Sequence, residues 1–302
     1  MSPATANTVI IIAGPTAVGK TDLAVSLAQT LQTEIISADS RQCYRELSIG
    51  VARPSETALA AVPHHFIASH SIHETVNAGV FEQYALDKTR QLFQQHQHVV
   101  MVGGTGLYIR AFCEGMDDMP DIAPAVREQI ISQYETHGLV WLQEQLKTRD
   151  PGFWAQAEQQ NPQRLMRALE VLESSGQSIT RFRKAAAVSR PFNIITVGLE
   201  LERQSLYERI NQRVLQMMQT GLLEEVKALY PFKHLNALQT VGYSELMDFL
   251  DGKTTLDRSV QLIQQNTRHY AKRQMTWFKK NSSIHWLNAA SVSVADITAL
   301  LH

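Results

Sequence analysis

Val9-Ile10-Ile11-Ile12-Ala13-Gly14-Pro15-Thr16-Ala17-Val18-Gly19-Lys20-Thr21 runs from a β-branched apolar segment through a glycine loop to a lysine and a hydroxyl. Beyond it Leu23, Ala24, Leu27, Ala28 and Leu31 recur at helical spacing, so the stretch reads as strand, loop and helix. Gly14 to Thr21 fits G-x-x-x-x-G-K-[ST] in the strand-to-helix setting that gives the pattern its meaning. Its glycines let successive backbone N–H groups converge on one anion, and the helix N-terminus adds positive potential. Lys20 is placed to bridge phosphate oxygens and Thr21 to hold Mg²⁺. A tight turn that merely fits the pattern is the bland alternative, and strand, lysine and hydroxyl together count against it. Any diphosphate presents the same oxygens, so the loop leaves the identity of its ligand open.

Farther along, Glu34 to Ala38 is a second short strand ending at Asp39, and His98 to Val102 a third ending at Gly103-Gly104-Thr105-Gly106. Asn193 to Leu199 and Ile284 to Leu287 add two more, with an amphipathic helix from Arg203 to Met218 between them. Continuous apolar strands alternating with helices predict an α/β fold. The expected form is a P-loop NTPase-like parallel sheet with helices on both faces and ligands outside the carboxyl ends of its strands. Residues 119–190 break that rhythm, with helical patterns at Ala125 to Tyr134, Leu139 to Thr148 and Gln163 to Ser174, turn signals at Asp150-Pro151 and Asn161-Pro162, and no strand. The expected organisation is a first core part, 1–118, a helical insertion domain, 119–190, and a second core part, 191–302, carrying a basic and aromatic helix from Leu262 to Lys279.

A formal charge of -1 argues, as an average, against a nucleic-acid partner, because phosphate contacts need lysine and arginine. The average hides a segregation. From Arg258 to Ala295 there is no Asp or Glu, while Arg258, Arg268, Lys272, Arg273, Lys279 and Lys280 give that window +6 and leave -7 for the rest. That is the pattern of a basic face. With 302 residues, 44% hydrophobic and 19% charged, the chain has enough apolar content for a real core and is unlike a disordered one. No apolar run approaches the roughly 18 residues of a membrane span. Met1 to Thr8 lacks a basic region leading into an apolar stretch, so a cytoplasmic protein with no membrane partner is expected. Cys43 and Cys113 are too few for a disulfide framework or a four-cysteine zinc site.

Ser37-Ala38-Asp39-Ser40-Arg41-Gln42 sets a carboxylate at the end of the second strand, beside the cradle if that strand neighbours the first, as sequential strands often do. Spacing alone leaves three roles open for Asp39: Mg²⁺ ligand, cap of a following helix, or general base.

Further segments accompany these two in order along the chain: Ile49-Gly50-Val51-Ala52-Arg53-Pro54, Val102-Gly103-Gly104-Thr105-Gly106-Leu107-Tyr108, Asn161-Pro162-Gln163-Arg164-Leu165-Met166-Arg167, Arg209-Ile210-Asn211-Gln212-Arg213, Val241-Gly242-Tyr243 and Ala271-Lys272-Arg273-Gln274-Met275-Thr276-Trp277-Phe278. In this ordered set the chain resembles the bacterial tRNA dimethylallyltransferases. The resemblance implies that the loop holds the diphosphate of dimethylallyl diphosphate and that no ATP is hydrolysed. It makes the residue matching Asp39 the general base, assigns Thr21 to the Mg²⁺-diphosphate site, and brings Arg213 to the leaving diphosphate. Positions matching Asp39, Ser40, Arg41, Gln42, Thr105, Arg127, Gln163, Arg164, Leu165, Met166, Arg167, Val241, Gly242 and Tyr243 touch tRNA, with the anticodon stem-loop as partner. The implied acceptor is N6 of the adenosine 3′-adjacent to the anticodon, position 37, in tRNAs reading codons that start with U, and a monomer is expected. Two departures stand out: Gln239-Thr240 replace an Arg-Cys pair found in family members, and Arg53 stands where lysine is frequent.

The chemistry suits these residues. An adenine amine is a weak nucleophile that profits from a base such as Asp39, while Lys20, Arg213, the loop amides and Mg²⁺ would stabilise the departing diphosphate. Pattern alone reads some positions otherwise. Arg164 and Arg167 share a helix face and pair with Glu170 or Glu173 in the plainer reading. Arg127, beside Glu128, is an ordinary surface residue on pattern. Lys272 and Arg273 are the tRNA contacts that the last helix offers, and Tyr270, Trp277 and Phe278 read as core. His64-His65 lacks further ligands at zinc spacing and is read as structural, and Cys43 has no part in the chemistry. Two rivals share the cradle. A P-loop kinase of a nucleoside or small metabolite needs neither the helical insertion nor the acid-free basic tail. A non-catalytic nucleotide switch needs a Walker B run or switch motif, and none is evident.

Overall fold

The computed structural model describes residues 7–183 and 188–301. Residues 1–6 of the start read above and 184–187 of the expected insertion lie outside them. The elements run β1 (Thr8–Ala13), α1 (Lys20–Thr30), β2 (Ile35–Ser37), α2 (Glu56–Ala61), β3 (His64–His65), α3 (Ala78–Leu92), β4 (His98–Gly103) and α4 (Gly106–Glu114). Then follow α5 (Pro124–Arg149), α6 (Pro151–Trp154), α7 (Pro162–Ser175), β5 (Asn193–Glu200), α8 (Arg203–Gln219), α9 (Leu222–Leu229), α10 (Tyr243–Leu250), α11 (Leu256–Phe278), β6 (His285–Asn288) and α12 (Val294–Thr298). Contacts divide the chain into two compact units, Met1–Gly115 with Ser189–His302, and Met116–Val188.

The first unit is built on a parallel six-stranded sheet in the order β3-β2-β4-β1-β5-β6. Every residue of β1 is buried, as a central strand covered on both faces requires. Ile10 and Ile12 pack with Leu27 and Ala28 of α1, Val100 and Val102 of β4, and Val197 and Leu199 of β5. One expectation is corrected. β2 does not neighbour β1, because β4 lies between them, with Ala13 paired to Gly103 and Ser37 to Val102. The apolar run of β4, buried through Val99 to Gly103, suits the central place that sequence adjacency assigned to the three-residue β2. Asp39 still reaches the cradle. The chain ends β4 on Gly103, whose missing Cβ would overlap the Ala38 carbonyl, so the β2 turn closes down onto it.

The second unit is helical and has a core of its own, formed by Ile130, Leu142, Leu146, Phe153, Leu165, Leu169 and Val171 among others. The two dipeptides read as turns are helix starts. The Asp150 carboxylate accepts the Phe153 N–H at 3.1 Å and the Asn161 side chain accepts the Arg164 N–H at 3.3 Å, each with proline at the first helical position. Gly138, at φ 70° and ψ -166°, separates the two helical patterns within α5.

Candidate active site

A cavity of about 360 Å³ opens at the carboxyl ends of the strands in the first unit. Its floor is the loop between β1 and α1. Gly14 has φ +147°, and a Cβ there would sit 2.7 Å from the Leu199 carbonyl oxygen, so the loop must begin with glycine. Gly19, at φ 104°, caps α1 and lets Lys20 and Thr21 open the helix facing the cavity.

Lys20 donates from Nζ to the Pro15 carbonyl at 2.6 Å. Burial pushes its pKa down to about 7, with Asp39 opposing the shift and Arg213 adding to it. Arg213, on α8, is likewise lowered by burial and opposed by Asp22. Among the described residues neither cation forms a salt bridge within the protein. Two basic groups half-buried in one cavity, with Asp39 and Asp22 near but not paired to them, carry a desolvation cost that an anionic ligand would offset.

Asp39 uses one oxygen for the fold. Its Oδ1 accepts the Arg41 N–H at 2.9 Å and the Gln42 N–H at 3.2 Å, while Oδ2 takes no hydrogen bond among the described residues. The capping role is therefore real, but it closes a turn, because no helix follows. Thr105 fastens that turn: its hydroxyl accepts the Ser40 N–H at 3.0 Å. Arg41 is strapped to the carbonyl of Asn236 at 2.9 Å, and Gln42 donates to the carbonyls of Val51 and Ala52 at 3.2 and 2.9 Å.

The cavity brings together Lys20, Thr21, Asp39, Ser40, Arg41, Gln42, Arg213, Val241 and Gly242 with most of the cradle. Tyr243 is fully buried instead, its hydroxyl bonded to the Glu225 carboxylate and its ring filling the space beside Gly50. Lys272 and Arg273 are exposed on α11, in a shallow hollow with His269, Thr276, Trp277 and Lys280. Arg127, Gln163, Arg164, Leu165, Met166 and Arg167 belong to the second unit, where Leu165 and Met166 are buried in its core. Arg127 and Arg167 share the buried Glu170 carboxylate at 3.1 and 3.2 Å, and Arg164 pairs with Glu158 at 3.1 Å rather than with Glu170 or Glu173. Of the two departures, Thr240 lines the cavity, and Arg53 forks onto the carbonyls of Tyr44, Arg45 and Leu47 outside it. Cys43 is buried, its thiol pushed up to about 12 by burial, and is no nucleophile. His64 borders the cavity with Nδ1 against the Val62 carbonyl, and His65 pairs with Glu34.

Sequence reading missed one wall. Tyr270, taken for core, faces the cavity with Ile263, Thr267 and Gln274 of the same helix. Burial raises its phenol to about 12, with Asp39 adding to the shift, and it meets the Thr105 hydroxyl. These four recur at helical spacing, so the stripe was visible, but its mixture of types reads as an ordinary half-buried face. Ile210, Val214 and Met217 share the cavity-facing side of α8 with Arg213 and make that part of the wall apolar.

Fold and site together define a P-loop NTPase-like α/β protein whose cradle opens onto an acid, two half-buried cations and an apolar wall. A family model described as IPP transferase matches residues 42–281, and the chain belongs to that family. It is 47% identical over 280 residues to a tRNA dimethylallyltransferase of Christiangramia forsetii, covering 93% of each chain, and 45% identical over 285 residues to one of Flavobacterium johnsoniae, covering 92% of each. Among solved structures it resembles the full-length tRNA isopentenylpyrophosphate transferase of Bacillus halodurans, with a TM-score of 0.71, 33% identity, and coverage of 98% of this chain and 94% of that one.

Proposed function

We propose that the chain transfers a dimethylallyl group from dimethylallyl diphosphate to N6 of the adenosine 3′-adjacent to the anticodon of tRNA, releasing diphosphate. The observation that carries the reading is the pairing of Lys20 and Arg213, half-buried and in no salt bridge among the described residues, with an Asp39 oxygen that takes no hydrogen bond among those residues, in the same cavity. The cations and loop amides grip the diphosphate, and the apolar side of α8 takes the branched hydrocarbon. The adenine amine donates electrons into the ring, so its attack on the allylic carbon gains from loss of a proton to Asp39 Oδ2 as the C–N bond forms. The carbon–oxygen bond to the diphosphate breaks, and the developing negative charge falls on groups already in place, each typically worth about 2.7 to 4 kcal/mol. The adenosine reaches the cavity only when swung out of its stack, a cost of a few kcal/mol that phosphate contacts offset.

Mg²⁺ fits the donor set. Thr21 supplies a hard oxygen, and no group of three or more His, Cys, Asp or Glu is placed to hold a metal among the described residues, so an ion there would rely on substrate phosphates and water, as Mg²⁺ commonly does. Thr21 would hold it, and it would neutralise charge on the diphosphate. No helix among the described residues is long and apolar enough to cross a membrane. Titration with dimethylallyl diphosphate and with ATP tests the reading: tight binding of the isoprenoid and no phosphate release from ATP support it. Tight ATP binding with phosphate release and indifference to the isoprenoid would support the kinase instead.

A further inference from the structure

Gln274 lies on α11, four residues past Tyr270, and is 6% exposed. Its amide is committed at both ends to backbone from distant parts of the chain. Oε1 accepts the Thr16 N–H at 2.9 Å, and Nε2 donates to the Gly104 carbonyl at 2.8 Å. A Cβ on Gly104 would overlap the amide nitrogen, so the approach requires glycine there. Strand pairing does not need this bridge, since β1 and β4 are already in register to their ends at Ala13 and Gly103. What the bridge fixes is the third residue of the phosphate loop. Immediately after it Ala17 takes φ +65°, a left-handed backbone that costs a residue with a Cβ and persists only where its surroundings hold it.

We infer that Gln274 is a positioning residue that holds the phosphate loop in its anion-receiving shape from the helix bearing the basic face. The inference rests on the proposed function in taking the loop as a diphosphate cradle. It links two parts of the sequence that were read separately, because α11 also carries Lys272 and Arg273 toward solvent. Without the amide, Thr16 loses its acceptor and Gly104 its donor, and the strained turn at Ala17 is free to relax away from the ligand.

The test uses inorganic pyrophosphate, titrated calorimetrically into the full chain. Gln274→Met matches the side chain in length and removes both hydrogen bonds, so it should weaken pyrophosphate binding roughly tenfold or more. Gln274→Glu supplies a readout that simple loss of packing would not move. Its neutral carboxyl offers one acceptor and one O–H donor, as the amide does, whereas its carboxylate faces the Gly104 carbonyl and repels the incoming anion. Its affinity relative to wild type should therefore recover as pH falls from about 8 to about 6, burial having raised the carboxyl pKa toward that range. Equal binding by wild type and Gln274→Met, or a Gln274→Glu deficit that does not change with pH, overturns the inference alone. Failure of the wild type to bind pyrophosphate overturns it together with the proposed function. If Gln274→Met does not fold, the Gln274→Glu profile decides.

Discussion

Asp39→Asn separates the two tasks the structure gives this side chain. The amide keeps a carbonyl oxygen where Oδ1 accepts from Arg41 and Gln42, so the turn survives and loses only the charge assistance of those bonds, about 1 kcal/mol of stability. The second oxygen becomes an NH₂ group and cannot take a proton. General-base loss lowers a rate typically 10² to 10⁴-fold, which is about 2.7 to 5.5 kcal/mol of barrier. Removing the charge has a side effect, because Asp39 opposes the lowering of the Lys20 pKa and its loss leaves that pKa lower still. The comparison is therefore made at about pH 6, below the pKa of about 7 that burial gives Lys20, so that Lys20 carries more of its charge. Single-turnover transfer at saturating substrates isolates the chemical step from product release. The expected result is a rate at least about a hundredfold below wild type with binding of both substrates little changed and a urea midpoint shifted only slightly. A rate within about tenfold of wild type would refute the assignment of the base.

Three further outcomes follow from the geometry. Lys20 has a folded pKa of about 7 against 10.5 unfolded, so between those values the unfolded chain holds the extra proton and stability of the unliganded protein rises with pH. Diphosphate restores the charge, so at about pH 8 binding should take up close to one proton, measured by calorimetry in buffers of different ionisation enthalpy, and zero uptake would contradict the burial argument. Gly103→Ala drives a Cβ into the Ala38 carbonyl beside Asp39, so it should cost about 1 to 3 kcal/mol and lower turnover as well; unchanged urea midpoint and rate would show that the β4 end gives way. Tyr243→Phe removes the bond to Glu225, which still accepts the N–H groups of Ile49 and Gly50 at 2.8 and 3.1 Å. It should cost about 1.5 to 3 kcal/mol of stability with tRNA affinity nearly unchanged in filter binding, and the reverse pattern would contradict its buried role.

The fold was legible wherever the signal was local. β1, its loop and α1 lie within one short stretch, and the continuous apolar runs of β4 and β5 marked buried parallel strands. Strand order was not, because nothing in the three residues of β2 says which neighbour they pair with, whereas the burial of β4 on both faces does. In the site, Lys20 and Thr21 could be found by motif, and Asp39 by its place just past the end of β2. Tyr270 read as core, and Gln274 stood in the Ala271 to Phe278 segment with no role attached to it. The bond from Thr16 to Gln274 joins residues 258 apart, and neither residue type announces a partner at that distance. Tyr243 shows the opposite error, a motif residue whose side chain serves the packing around Gly50.

Transfer of label decides whether the protein prenylates tRNA. Dimethylallyl diphosphate labelled in its hydrocarbon is incubated with the protein, Mg²⁺ and unmodified tRNA, and the digested tRNA is analysed nucleoside by nucleoside. Label is expected on N6 of the one adenosine just 3′ of the anticodon, with one diphosphate released for each label and no dependence on ATP. Unlabelled tRNA from a protein that instead releases phosphate from ATP would contradict transfer to tRNA.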